Sequence, residues 1–228
     1  MLDRSAARQG RRVVLALSLA LLTGCIGPLY TWDTHTTSTP RSESVNAAAL
    51  SAEPVATLGV LAPPALQGFG PSMSQSLARA LSEASPPIRG AAPSEIVSAL
   101  NEQGLATEYA DLLAGFGRNG ILERERLGRI GTALGSRYVL LPGLAAVDQV
   151  LVDRFEIAGF KLVRNQVITL RLWLQLWDTR TGHLVWESAG EVAAVSELLV
   201  AGRVTPLDVL AQKLWRRMVQ EDLLAAKK

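Results

Sequence analysis

Cys25 is the only cysteine among 228 residues, and it closes Leu22-Thr23-Gly24-Cys25 at the end of an apolar run. Its thiol is the strongest nucleophile the chain offers, and small Gly24 just before it suits the pocket of a peptidase that cuts between the two. Arg4, Arg8, Arg11 and Arg12 precede the ten residues from Val13 to Leu22. Ten residues cannot cross a bilayer as a helix, which needs about 20, so residues 1–24 read as a cleaved secretory signal. The chemistry expected at this end is cleavage after Gly24 and transfer of a diacylglyceryl group to the Cys25 sulfur, with palmitate-type acylation of the new amino terminus.

Elsewhere the reactive residue types do not gather. The two histidines are His35, in a threonine-rich stretch, and His183, beside a hairpin turn, and neither has a cysteine or second histidine near it in sequence. A zinc site is therefore not expected. Ser72, Ser74 and Ser76 lack a G-x-S-x-G setting. Gly68-Phe69-Gly70 stands where phosphate often sits at a helix start, but no Gly-Lys-Ser/Thr follows and the third glycine of a dinucleotide fingerprint is missing. Glu123 and Glu125 alternate with Arg124 and Arg126 and read as a solvated helix start. Asp148 and Asp153 flank Val150-Leu151-Val152 and read as a strand rim or loop. These counts predict no enzyme, no metal and no small-molecule cofactor, only covalent lipid on Cys25.

Charge narrows the partners. Losing residues 1–24 removes four arginines and Asp3 and leaves 19 basic against 20 acidic residues in a mature chain of 204. Near-neutrality gives no support for a nucleic-acid partner. The length suits one domain with a real core plus a tail. With Cys25 acylated no disulfide can form, so burial alone must stabilise the fold.

Elements to position these residues follow from period and punctuation. Residues 25–54, rich in Thr, Ser and Ala, predict a lipidated flexible tether of roughly 30 Å typical reach, with Tyr30 and Trp32 either at the headgroups or exposed. Order is expected from Val55 to residue 228. Ala56 to Ala62 reads as a strand, and Ser72 to Ala84 as a helix with Met73, Leu77, Ala80 and Leu81 inward. Further helices follow from Pro93 to Gly104, Thr107 to Phe116 and Leu122 to Leu134, with Gly135 as the last stop.

The second half changes to a period of two. A strand opens at Tyr138, and from Val167 to Trp177 Ile168, Leu170, Leu172, Leu174 and Leu176 share one face while Thr169, Arg171, Trp173, Gln175 and Trp177 share the other. Asp178 to Gly182 turns the chain into His183-Leu184-Val185-Trp186-Glu187. Thr205 is placed to cap a final helix with Pro206 at its first position and Leu207, Leu210, Leu214 and Met218 inward. The order predicts an α+β layer sandwich: a mixed sheet with a C-terminal three-strand antiparallel meander packed by about four helices. Trp173 and Trp177 are either anchors for a partner or core beneath helices that also cover this face.

Leu134 to Gly143, the leucine-rich strand and the hairpin Asp178 to Trp186 together resemble the periplasmic domain of CsgG-type curli-secretion lipoproteins. The same order is similar to lipoprotein activators of penicillin-binding proteins and to the N-terminal domain of the Tol-system protein TolB. The resemblance covers Val55 to Met218 and implies a non-catalytic assembly module. CsgG-type pores carry two membrane-spanning hairpins per subunit. Here Ala146 to Gln166 has room for one, whereas Ala193 to Val204 is too short for two strands of about 9 to 11 residues. Ala146 to Gln166 is therefore expected as an elaborated loop or extended hairpin, with Phe155, Phe160, Trp173 and Trp177 as contact residues.

The resulting expectation is a lipoprotein of the outer membrane, facing the periplasm, that binds another envelope protein or its own copies. Ile26 follows Cys25 where aspartate would favour inner-membrane retention. A subunit of a CsgG-like secretion complex is the alternative, and an envelope hydrolase the second alternative.

Overall fold

Ile168, Leu170, Leu172, Leu174 and Leu176 are all buried, as a period of two in a half-covered strand requires. In the computed structural model the chain is described over residues 30–42, 45, 47–91, 93–157, 160–197 and 205–225. It divides into Met1–Thr31, of which residues 30 and 31 are described, and Trp32–Lys228. The elements are β1 (Tyr30–Ser38), α1 (Ala47–Ala52), β2 (Val55–Thr57), a 3-10 turn (Pro64–Phe69), α2 (Gly70–Ser82), β3 (Gly90–Ala91), α3 (Pro93–Glu102), α4 (Ala106–Asn119) and α5 (Arg124–Ala133). After them come β4 (Tyr138–Ile157), β5 (Phe160–Asp178), β6 (His183–Glu197), α6 (Leu207–Arg217) and a π-helical turn (Met218–Leu224). The six strands form one mixed, open sheet in the order β1-β6-β5-β4-β2-β3. β2 runs parallel to β3 and β4, while β4, β5 and β6 form the antiparallel meander. The fold is α+β.

Two cores lie on opposite faces. On the first, Met73, Leu77, Ala80 and Leu81 of α2 and Leu210, Leu214 and Trp215 of α6 bury the leucine face of β5 together with Tyr138, Leu140 and Trp186. Ser76 ties the two helices together by donating to the Asp208 carbonyl at 3.1 Å. Ile96 and Leu100 of α3, Leu112 of α4, and Leu127 and Ile130 of α5 pack on the second face against Ala56, Leu58, Val139, Leu141 and Trp177. That cover reaches only the base of the sheet, because α3, α4 and α5 follow β3 and must return the chain to β4 beside β2.

The turn after β5 is built by Asp178. Its carboxylate, almost fully buried, accepts from Arg137 Nε at 3.0 Å and from the Arg180 and Thr181 N–H groups at 2.9 and 3.3 Å. That hydrogen bond holds the Arg137 guanidinium above its usual range. Gly182 closes the turn at φ 74°, a conformation that costs glycine nothing.

Three expectations are corrected. Order begins before Val55: within the segment read as a flexible tether, β1 joins the sheet beside β6 and α1 buries Leu50. The Thr39 and Ser42 N–H groups donate to the Glu187 and Val185 carbonyls at 3.0 and 2.9 Å, so this stretch runs opposite to β6. Polar side chains conceal the strand because tertiary partners hold it: Arg217 donates to the Thr34 carbonyl, Thr36 donates to Asp222, and Arg41 donates to the Leu223 carbonyl. The first apolar run forms only the short β2, after which Leu61 bridges Gly143. Thr205 does not cap α6: no side-chain cap bond is made there, and its hydroxyl is buried without a partner.

Candidate functional site

Beyond the helices, the second face of the sheet is bare of described elements, and its side chains rise in cross-strand rows. Gly143, Trp173 and Ala189 make the first row, and Ala146, Arg171 and Glu191 the next. Asp148, Thr169 and Ala193 follow, and then Val150, Val167 and Val195. Trp173 marks the boundary. Half-buried, it stacks on Phe116 of α4 with ring centroids 5.8 Å apart and 28° between planes. Its indole occupies the space above Gly143 that any larger residue would need.

The charged band is a bridge of three strands. Arg171 donates through Nη1 to Asp148 at 2.8 Å and through Nε to Glu191 at 2.6 Å. The Glu191 bond, first among the causes, holds the guanidinium above its usual value. All three side chains are about half exposed, so the bridge contributes little stability and chiefly fixes a pattern of charge on the face. Nearer the base, Trp177 Nε1 donates to Gln175 at 3.1 Å, and Gln175 donates to Glu187 at 3.2 Å. Between Trp173 and the end of β1 these polar groups line a shallow depression of about 400 Å³.

At the far end the face becomes apolar. Val150 is 55 % exposed and leads a row of three valines, and Leu151, 53 % exposed, lies on the opposite face of the same strand. The pairing of β5 with β6 ends at Asn165 with Glu197, yet β4 and β5 stay paired to Ile157 with Phe160. Ala146 to Gln166 is thus an extended hairpin rather than a loop, and among the described residues its outer part is a ribbon of two strands.

Of the sequence-derived contact residues, Trp177 is a core side chain, 6 % exposed under α3 to α5. Trp173 is the half-buried edge of that core and borders the open face. Phe155 sits opposite Val163 and Phe160 opposite Ile157 in the ribbon, and their side chains lie outside what the structure describes. Gly24 and Cys25 lie outside the described residues altogether. His35 pairs with Asp33 at 3.2 Å on the exposed face of β1, and His183 is exposed at the start of β6. No group of three His, Cys, Asp or Glu among the described residues could hold a metal ion. No described helix is long and apolar enough to cross a membrane. Sequence reasoning missed the Asp148-Arg171-Glu191 bridge and the valine row, since residues from three strands become neighbours only once the register is known.

No family model matches this chain, and no curated protein matches it. Among solved structures it is similar to the PelC dodecamer from Paraburkholderia phytofirmans, at 16 % identity over 86 % of this chain and 100 % of that one, with a TM-score of 0.45. Lipoprotein GNA1162 from Neisseria meningitidis gives 16 % identity over 73 % of this chain and 95 % of that one, with a TM-score of 0.44. For the LpoB C-terminal domain from Salmonella enterica the figures are 15 %, 66 %, 86 % and 0.41. Scores this low decide neither family nor activity, and the likeness to the curli-secretion type stays an expectation.

Proposed function

We propose that the chain is a lipoprotein of the outer membrane, facing the periplasm through lipid on Cys25, that works as a non-catalytic interaction and assembly module of the cell envelope. One observation carries the binding role: among the described elements, the helix-free face ends in a row of three valines led by exposed Val150 and runs on into a ribbon of β4 and β5. Isolated two-stranded ribbons are marginally stable in water, so a partner or a second copy that covers this one also stabilises it. The anchor rests on Leu22-Thr23-Gly24-Cys25 and the run before it. Because β1 starts at Tyr30, only five peptide steps separate Cys25 from the sheet, about 17 Å when fully extended. The leash is short, and the domain works close to the membrane.

A pore subunit would need a second hairpin between Ala193 and Val204. Residues 193–197 of that slot are already paired in register with β5, which leaves too few for it. The test is site-specific photo-crosslinking in intact cells from position 150, with exposed Glu102 of α3 as control, beside fractionation of Cys25→Ser. Discrete adducts from position 150 alone, and loss of membrane association in Cys25→Ser, support the reading. Ion conductance by the purified full chain in a planar bilayer, or equal crosslinking from both positions, overturns it.

A further inference from the structure

At the other edge of the sheet, β3 is the last strand, and none of the described elements pairs with its outer side. Val55 N–H donates to the Arg89 carbonyl at 2.9 Å. In a parallel ladder the residues facing the neighbour alternate, so Arg89 and Ala91 face β2 while exposed Gly90 turns its N–H and C=O outward. Between this edge and α2 lies a cavity of about 370 Å³. Ala78, Leu81 and Ser82 line it from the helix, Ile88 and Arg89 from the approach to β3, and Thr57 from β2. The size falls within the range of real binding pockets.

Thr57 points to what belongs there. The residue is 4 % exposed, and its Oγ1 is buried with no hydrogen-bond partner. That oxygen lies 3.6 Å from where a Cβ on Gly90 would stand, so it faces the space left by the missing side chain. An orphaned buried hydroxyl is destabilising unless something meets it. A helix flanking an edge strand with free backbone groups is an arrangement in which an extended peptide adds a strand, its main chain giving affinity and its alternate side chains specificity.

We propose that this groove binds an extended segment of a partner protein. The segment pairs its backbone with Gly90 and places a threonine in the cavity, with the methyl against Leu81 and Ile88 and the hydroxyl bonded to Thr57 Oγ1. An acidic residue of the segment lies beside exposed Arg89, whose charge it complements. The groove is separate from the valine row, and the proposal stands whether or not Cys25 is acylated.

The probe is a phage library of random linear dodecapeptides, panned on the full chain in detergent micelles and counter-selected on Ala78→Phe. Ala78 is exposed on α2, so the larger ring fills the groove from the solvent side without entering the core. Gly90→Val supplies a second block, since an added Cβ meets Leu81 at an ordinary 3.4 Å. Enriched peptides are expected to carry threonine near an acidic residue, and the Gly90 amide should gain protection from hydrogen exchange when they bind. Affinity, read by fluorescence anisotropy, should fall at least about tenfold in Gly90→Val, and Thr57→Val should come to prefer the valine analogue of the peptide. Circular dichroism verifies that each variant is folded. Failure to enrich over Ala78→Phe, binding to Gly90→Val as tight as to the wild type, or an unprotected Gly90 amide would each overturn the proposal.

Discussion

The indole of Trp173 lies over the backbone of Gly143, its cross-strand partner, in the space that a Cβ at position 143 would occupy. With Phe116 stacked on the ring, the tryptophan fastens α4 to the sheet at the point where the helical cover stops. Gly143→Ala must expel the ring and should cost about 1 to 3 kcal/mol in urea unfolding, as overpacking does. The same change in a Trp173→Ala background should cost much less. Additive losses in this double-mutant cycle would show that the two residues do not meet.

Thr205→Val tests an element that did not form as expected. A working N-cap would cost about 1 kcal/mol when removed. Here the hydroxyl is buried without a partner, so the variant should melt at the same temperature as the wild type or higher. A clear fall in Tm would reinstate the cap.

Alkaline stability should depend on Tyr109. Burial pushes its phenol above the ordinary value near 10 and outweighs the opposite pull of the Gly59 N–H, from which the phenol oxygen accepts at 2.8 Å. A group whose folded pKa is raised contributes stability that is fully present below the unfolded value and lost as pH rises through the folded one. Thermal melts from pH 9 to 11 should therefore slope downward more steeply for the wild type than for Tyr109→Phe. The variant should also lose about 1 kcal/mol at pH 7, where the Gly59 N–H is left without its acceptor.

Asp178 should be the most sensitive acidic residue of the meander. Asp178→Ala strands the Arg137 guanidinium and two turn N–H groups and should cost roughly 3 kcal/mol by chemical denaturation. Asp178→Asn keeps an oxygen for the turn and should cost less. Matching losses would mean that charge, rather than turn geometry, decides.

Much of this architecture was legible because local signals and the tertiary outcome agreed. Leucines at every second position locate the inner part and the end of β5, though the strand starts seven residues earlier, at Phe160, and the three- and four-residue spacing locates α2 to within two residues. Gly135, at φ 59°, ends α5 as its position predicted. β1 was illegible because its strand character comes from β6 and from Arg217 and Asp222 far along the chain, not from its own threonines. Trp177 allowed two readings, since a period of two gives the face of a residue but not what covers it; α3, α4 and α5 decided for the core. Thr57 carried no sequence signal, as a threonine in a strand is ordinary until its hydroxyl proves to have no partner.

The docking of β1 has a mechanical meaning. A pull on the amino-terminal end of β1 loads the axis of an edge strand that runs opposite to β6, and just past that strand the Thr39 and Ser42 N–H groups are bonded to the Glu187 and Val185 carbonyls. Such a load is borne in shear: the bonds between the two strands share it and must yield together instead of opening in turn like a zip. Arg217 and Asp222 act as rivets, passing part of the force into the last helical turns. β1 is thus less a string on which the domain drifts than a strut through which a pull on its amino-terminal end becomes stress within the sheet.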